Sequence, residues 1–174
     1  MSSMLGRMIL AGCPYTVYHV KMLEAVPLIP LFEGLSDEQN ATLMNAFEHY
    51  SSNLGAVVFE QGDPANYLYL IVKGDVSIMY KPYDGEKITL TRLKDGDVFG
   101  WSAVVGTNKY SSGAVCNSDL EAIRLRRDHL LKLMETTPDA SKVIIDRLAL
   151  NVSPRWKDAY KQIEPLITPK RKTA

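Results

Sequence analysis

Apolar side chains recur at helical spacing near both ends of the chain and at extended spacing through its middle. Val26, Leu28, Ile29, Leu31 and Phe32, interrupted by Pro27 and Pro30, suit short helical turns packed on a core. Ser36 with Gln39 three residues on forms a capping box. Leu43, Met44 and Phe47 lie on one face of the helix it opens, which the pattern carries for about three turns and ends near Asn53 to Gly55. Between Ala56 and Leu125 the period shortens to two. Val57 to Phe59, Tyr67 to Val72, Val76 to Tyr80, Lys87 to Leu93, Gly113 to Cys116 and Leu120 to Leu125 read as strands. Gly62-Asp63-Pro64, Lys73-Gly74-Asp75, Asp84-Gly85, Asp95-Gly96-Asp97 and Asn117-Ser118-Asp119 punctuate them. Strands this short and evenly spaced predict a small antiparallel barrel or roll, with a hairpin at Asp84-Gly85.

After Arg126 the pattern turns helical again. Leu130, Leu131, Leu133 and Met134 mark a short helix, and Thr137-Pro138-Asp139 opens another with a threonine cap, a first-turn proline and an acid at the positive end of the dipole. Ile145, Leu148, Ala149, Val152, Trp156, Ala159, Tyr160 and Ile163 continue as one apolar stripe, with a kink or restart expected at Ser153-Pro154. The expected organisation is an irregular extension over 1–21, one domain over 22–165, and a disordered tail over 166–174. Within the domain the roll spans about 56–125 and the C-terminal helices about 127–165.

Composition narrows the function classes. The 174 residues suit one domain, and 46% hydrophobic with 23% charged residues excludes a largely disordered chain. Twenty basic and twenty acidic side chains cancel, so no global field draws the protein to nucleic acid or an anionic membrane. Residues 1–120 carry −5 and residues 121–174 carry +5. Cys13 and Cys116 are too few and too far apart for a disulfide framework or a CxxC site, which favours a cytoplasmic location. Leu10-Ala11-Gly12-Cys13 has the form of a lipobox, but only Met8 to Cys13 is apolar ahead of the cysteine, shorter than a signal requires. His19, His49 and His129 stand alone in sequence, so no metal site is expected. No nucleophile-elbow pattern occurs, Asp63, Asp75, Asp95 and Asp97 read as turn acids, and an enzyme is not expected.

Three stretches, in register and in order, carry a resemblance. Phe59-Glu60-Gln61-Gly62-Asp63-Pro64, Tyr69-Leu70-Ile71-Val72-Lys73-Gly74-Asp75-Val76 and Asp95-Gly96-Asp97-Val98-Phe99-Gly100 resemble the recurrent segments of the cyclic nucleotide-binding domain in catabolite-activator/Fnr regulators. The resemblance covers roughly Met22 to Pro165. It implies a mainly β fold: an antiparallel, jelly-roll-like β-roll with N-terminal helices and a long C-terminal helical segment. It also implies a phosphate-binding cassette after Phe99-Gly100, where such domains usually place a glutamate for the ribose and, beyond a loop, an arginine for the cyclic phosphate. Here Trp101 stands at the glutamate position and Tyr110 at the arginine position.

The ligand candidates are therefore Phe99, Gly100, Trp101, Ser102, Ala103, Tyr110, Ser111 and Ser112. Either they line a pocket for a ligand flatter or less charged than a cyclic nucleotide, or Trp101 and Tyr110 fill that pocket and pack on each other. Cyclic AMP or cyclic GMP is expected to bind weakly or not at all, because an unpaired phosphate charge is costly to bury. Lys109 should point away if Tyr110 points in. The leading expectation is a non-enzymatic ligand-sensing module that signals through its C-terminal helices to a protein partner. The alternative is a dimerisation or interaction scaffold that has lost its nucleotide. Nine residues after Pro165 do not hold a helix-turn-helix, so no direct nucleic-acid binding is expected. A homodimer is expected through Ile145, Leu148, Ala149, Val152, Trp156 and Tyr160. No membrane span is expected.

Overall fold

Side chains that alternate along a strand sort this chain into layers. In Tyr67–Lys73, Tyr69 and Ile71 point into a core shared with Phe59, Val76, Phe99 and Ala122, while Leu68 and Leu70 are buried on the opposite face. The structure is a computed structural model that describes residue 36, residues 46–105 and 108–136, and residues 138–139, 141–143 and 145–146. Among these residues the strands are β1 (Phe47–Ser52), β2 (Val57–Phe59), β3 (Tyr67–Lys73), β4 (Val76–Tyr80), β5 (Ile88–Leu93), β6 (Val98–Phe99), β7 (Gly113–Cys116) and β8 (Leu120–Arg126). A 3-10 turn, Trp101–Ala103, lies between β6 and β7, and helix α1, Arg127–Thr136, follows β8.

The strands form two four-stranded sheets, ordered β1-β8-β3-β6 and β2-β7-β4-β5, with every pairing antiparallel. Aromatic and β-branched side chains from both sheets meet between them, which is the expected double-layered roll. Turn glycines close it. Gly74 takes φ of 127° between β3 and β4, and a Cβ there would lie 2.7 Å from the Asp119 carbonyl oxygen, so neither backbone angle nor space admits another residue. The turn aspartates act as expected: Asp63 accepts from the Glu60 amide and Asp97 from the Lys94 amide.

One predicted element is corrected. The helix expected to run to Asn53–Gly55 is not helical in its last part, because Phe47–Ser52 is β1, paired residue for residue with β8 from Phe47↔Leu125 to Ser52↔Leu120. Phe47 and Tyr50 stand three apart, a helical spacing, and the ladder to β8 overrides that weak period. β6 falls outside the expected strands; its two residues pair with Tyr69 and Leu70. The helical reading after Arg126 agrees with α1 and with the helical residues among 138–146. The extension over 1–21 with its lipobox, the capping box at Gln39, the Thr137 cap, the stripe from Leu148 onwards and the tail lie outside the described residues.

Candidate functional site

The cassette begins where β6 ends. Gly100, with φ of 78°, turns the chain out of the sheet and caps the 3-10 turn. A Cβ there would stand 2.7 Å from the Tyr67 carbonyl oxygen and 3.2 Å from the Tyr69 ring, so glycine is required both for its angle and for its closeness to β3. The turn closes with the Ala103 amide donating to Gly100 O and the Val104 amide to Trp101 O. Ala103 is buried, Trp101 and Ser102 are half-buried, and Val105 is exposed. Phe99 lies beneath, stacked on Tyr69 with centroids 4.8 Å apart.

The chain returns at Asn108 and is stitched to the segment after β2. The Ala65 amide donates to Asn108 O, Tyr110 N to Asp63 O, and Gly62 N to Tyr110 O, each at 2.8–2.9 Å. Bonds on both sides of Tyr110 aim its side chain inward, where it is 5% exposed. Its ring lies on Phe59 at 3.6 Å and 12°. Its hydroxyl donates to Tyr67 O at 2.7 Å and accepts from the Tyr67 amide at 3.1 Å. Burial pushes the Tyr110 phenol above its ordinary pKa, so it stays neutral. The ring that Tyr110 packs on is thus Phe59's.

Ser111 is exposed and Ser112 half-buried. The Ser111 amide donates to Ser102 Oγ at 3.3 Å, and the two hydroxyls stand 3.5 Å apart, so both arms of the cassette meet at this serine pair. Lys109 is exposed beside the buried Tyr110, and Arg92 is exposed on β5. Trp101 and Tyr110 thus present a half-buried indole and a buried phenol clasped to Tyr67. Cys116 is buried and its thiol is pushed up in pKa by that burial. Among the described residues no group of His, Cys, Asp and Glu could hold a metal ion, and no helix is long and apolar enough to cross a membrane.

Two arginines carry no signal in the sequence pattern. Arg127, the first residue of α1, donates from Nη1 to the Ala103 carbonyl, and its amide donates to Asn66 O at 2.8 Å. The last residue of the cassette turn is thereby tied to the first residue of the C-terminal helix. Arg124 stands on the inner face of β8, its guanidinium 4.0 Å from the Tyr67 ring centroid and ion-paired with Glu48. Spacing along the chain points to neither contact, since their partners are 24 and 76 residues away. A separate cleft of about 260 Å³ opens on the other sheet, among Glu60, Gln61, Met79, Lys81, Lys87 and Gly113.

The model of the family described as the cyclic nucleotide-binding domain matches residues 51–137, half of the chain. A cyclic AMP receptor protein from Thermus thermophilus is 28% identical over 137 residues, covering 79% of this chain and 62% of the relative. A cAMP-dependent protein kinase regulatory subunit from Aspergillus fumigatus is 25% identical over 111 residues, 64% of this chain and 26% of that protein. The chain thus spans less than two thirds of each. Among solved structures, a cyclic nucleotide-binding domain from Methylobacillus flagellatus superposes with a TM-score of 0.72 at 24% identity, covering 89% of this chain and 87% of the other. With the family model matched over half of its length and the double-sheet roll in place, the chain belongs to the cyclic nucleotide-binding domain family.

Proposed function

We propose that this domain is a non-enzymatic regulatory sensor whose cassette responds to a ligand other than a cyclic nucleotide and passes that response to its C-terminal helices through Arg127. Its relatives from Thermus and Aspergillus are a receptor protein and a regulatory subunit, which supports a regulatory role. The observation that carries the ligand reading is Tyr110: at the position where the resemblance calls for arginine stands a neutral phenol with both hydrogen-bonding roles spent on Tyr67. A cyclic phosphate seated there would lack the arginine that the resemblance calls for at this position. The coupling reading rests on the bond from Arg127 to Ala103, because any displacement of the 3-10 turn pulls on the start of α1.

The burial of Tyr110 favours a second reading, a scaffold in which the former pocket is filled and the roll serves dimerisation or partner docking. A thermal-shift screen separates the two. A sensor at about a hundred times its ligand's Kd gains about 2.7 kcal/mol, which raises its melting temperature visibly. Cyclic AMP and cyclic GMP should give no shift while another small anion or metabolite does. A scaffold shifts with none, and a clear shift with cyclic AMP contradicts the ligand reading. The proposed assembly is a homodimer through the stripe that starts at Ile145.

A further inference from the structure

The inner face of the roll carries one charge pair set among tyrosines. β8 alternates so that Ala122 lies in the shared core, and Arg124, two residues on, faces the same way. In register it is flanked by Glu48 on β1 and Tyr69 on β3. Its guanidinium lies 4.0 Å from the Tyr67 centroid and 5.3 Å from that of Tyr50, two half-buried rings packed against the core. Nε donates to Glu48 Oε2 at 3.0 Å, and Nη2 is ion-paired with the same oxygen at 2.9 Å. Arg124 stands opposite Tyr69, whose ring stacks on Phe99 beneath the cassette turn.

The pair is accessible to solvent. Its side chains are 26% and 36% exposed, so water reaches both. A pair of this exposure adds little to stability, and an apolar residue at either place would continue the aromatic packing instead. What the arrangement does supply is an arginine edge already oriented towards a carboxylate, held between aromatic faces that favour a flat apolar body. Glu48 is the carboxylate that occupies that edge, from the edge strand of its sheet.

We propose that Arg124, seated between Tyr50 and Tyr67 on the inner face of the roll, is an anion site that takes a small aromatic carboxylate in exchange for the carboxylate of Glu48. The site offers a positive charge from β8 between two aromatic faces. It deepens the sensing reading by naming a ligand class, and its test does not depend on the response to cyclic AMP. The full chain is titrated by calorimetry with benzoate and with benzamide, its uncharged analogue. Benzoate binds and benzamide does not. Glu48→Gln, which removes the internal competitor, tightens benzoate binding by about fivefold, and Arg124→Gln abolishes it. Equal binding of benzamide, or benzoate binding unchanged by Glu48→Gln, overturns the exchange. Absence of saturable benzoate binding to both the unmodified protein and Glu48→Gln reduces the pair to a structural contact and overturns the site. Should Arg124→Gln fail to fold, Arg124→Lys replaces it and is expected to weaken binding, since lysine keeps the charge without the two-donor edge.

Discussion

Tyr110 is a buried phenol that belongs to the aromatic core of the roll. Its ring joins Phe59, Tyr69 and Phe99 in one stacked cluster, and its hydroxyl satisfies the first residue of β3 from both sides. Tyr110→Phe keeps the stacking and removes both hydrogen bonds, leaving the Tyr67 amide and carbonyl to find other partners. We expect a loss of about 1–3 kcal/mol in urea unfolding with an unchanged m-value. A loss below about 0.5 kcal/mol would mean that water replaces the hydroxyl. The inward aim of Tyr110 and the outward aim of Lys109 are legible from alternation in an extended segment. The partner of Tyr110 is not, because Phe59 lies 51 residues earlier on another strand and no local period reports it. Arg124 and Arg127 are illegible for the same reason: each acts through a pairing set by sheet topology.

At the scale of elements, turn chemistry is the readable part. Gly74 and Gly100 demand positive φ and close approaches to backbone carbonyls, and Asp84-Gly85 sits in the turn between β4 and β5. The strands between them are readable because their inner residues alternate. β1 reads as helix because Phe47 also fits the spacing set by Leu43 and Met44, and only its pairing with β8 decides for the strand. β6 has two residues, too few for a period. The cassette turn and α1 form a pair linked by the Arg127 side chain. Arg127→Ala should therefore speed amide exchange both at Ala103 to Val105 and in the first turn of α1, with β3 and β8 unaffected. Faster exchange in α1 alone would leave the helix uncoupled from the cassette.

For the whole molecule, the buried phenols set an alkaline limit. Burial raises the Tyr69 and Tyr110 pKa values above the ordinary 10.0, so the folded state keeps both neutral while the unfolded chain ionises them. Their contribution is complete below pH 10 and is lost as pH rises above it, so unfolding midpoints should hold on the acid side of 10 and fall steadily beyond it. A midpoint unchanged between about pH 9 and pH 11 would contradict the burial of these groups. Light scattering should give about twice 19.4 kDa, dropping to 19.4 kDa after Leu148→Glu, and a monomer in the unmodified protein would remove the dimer from the proposal. The proposed sensor, with tyrosine and tryptophan in its cassette, is expected not to read a cyclic nucleotide. Calorimetric titration of cyclic AMP into the unmodified protein and into Tyr110→Arg/Trp101→Glu tests it most directly. No saturable heat is expected for the former and measurable binding for the latter, whereas low-micromolar binding to the unmodified protein would contradict the claim.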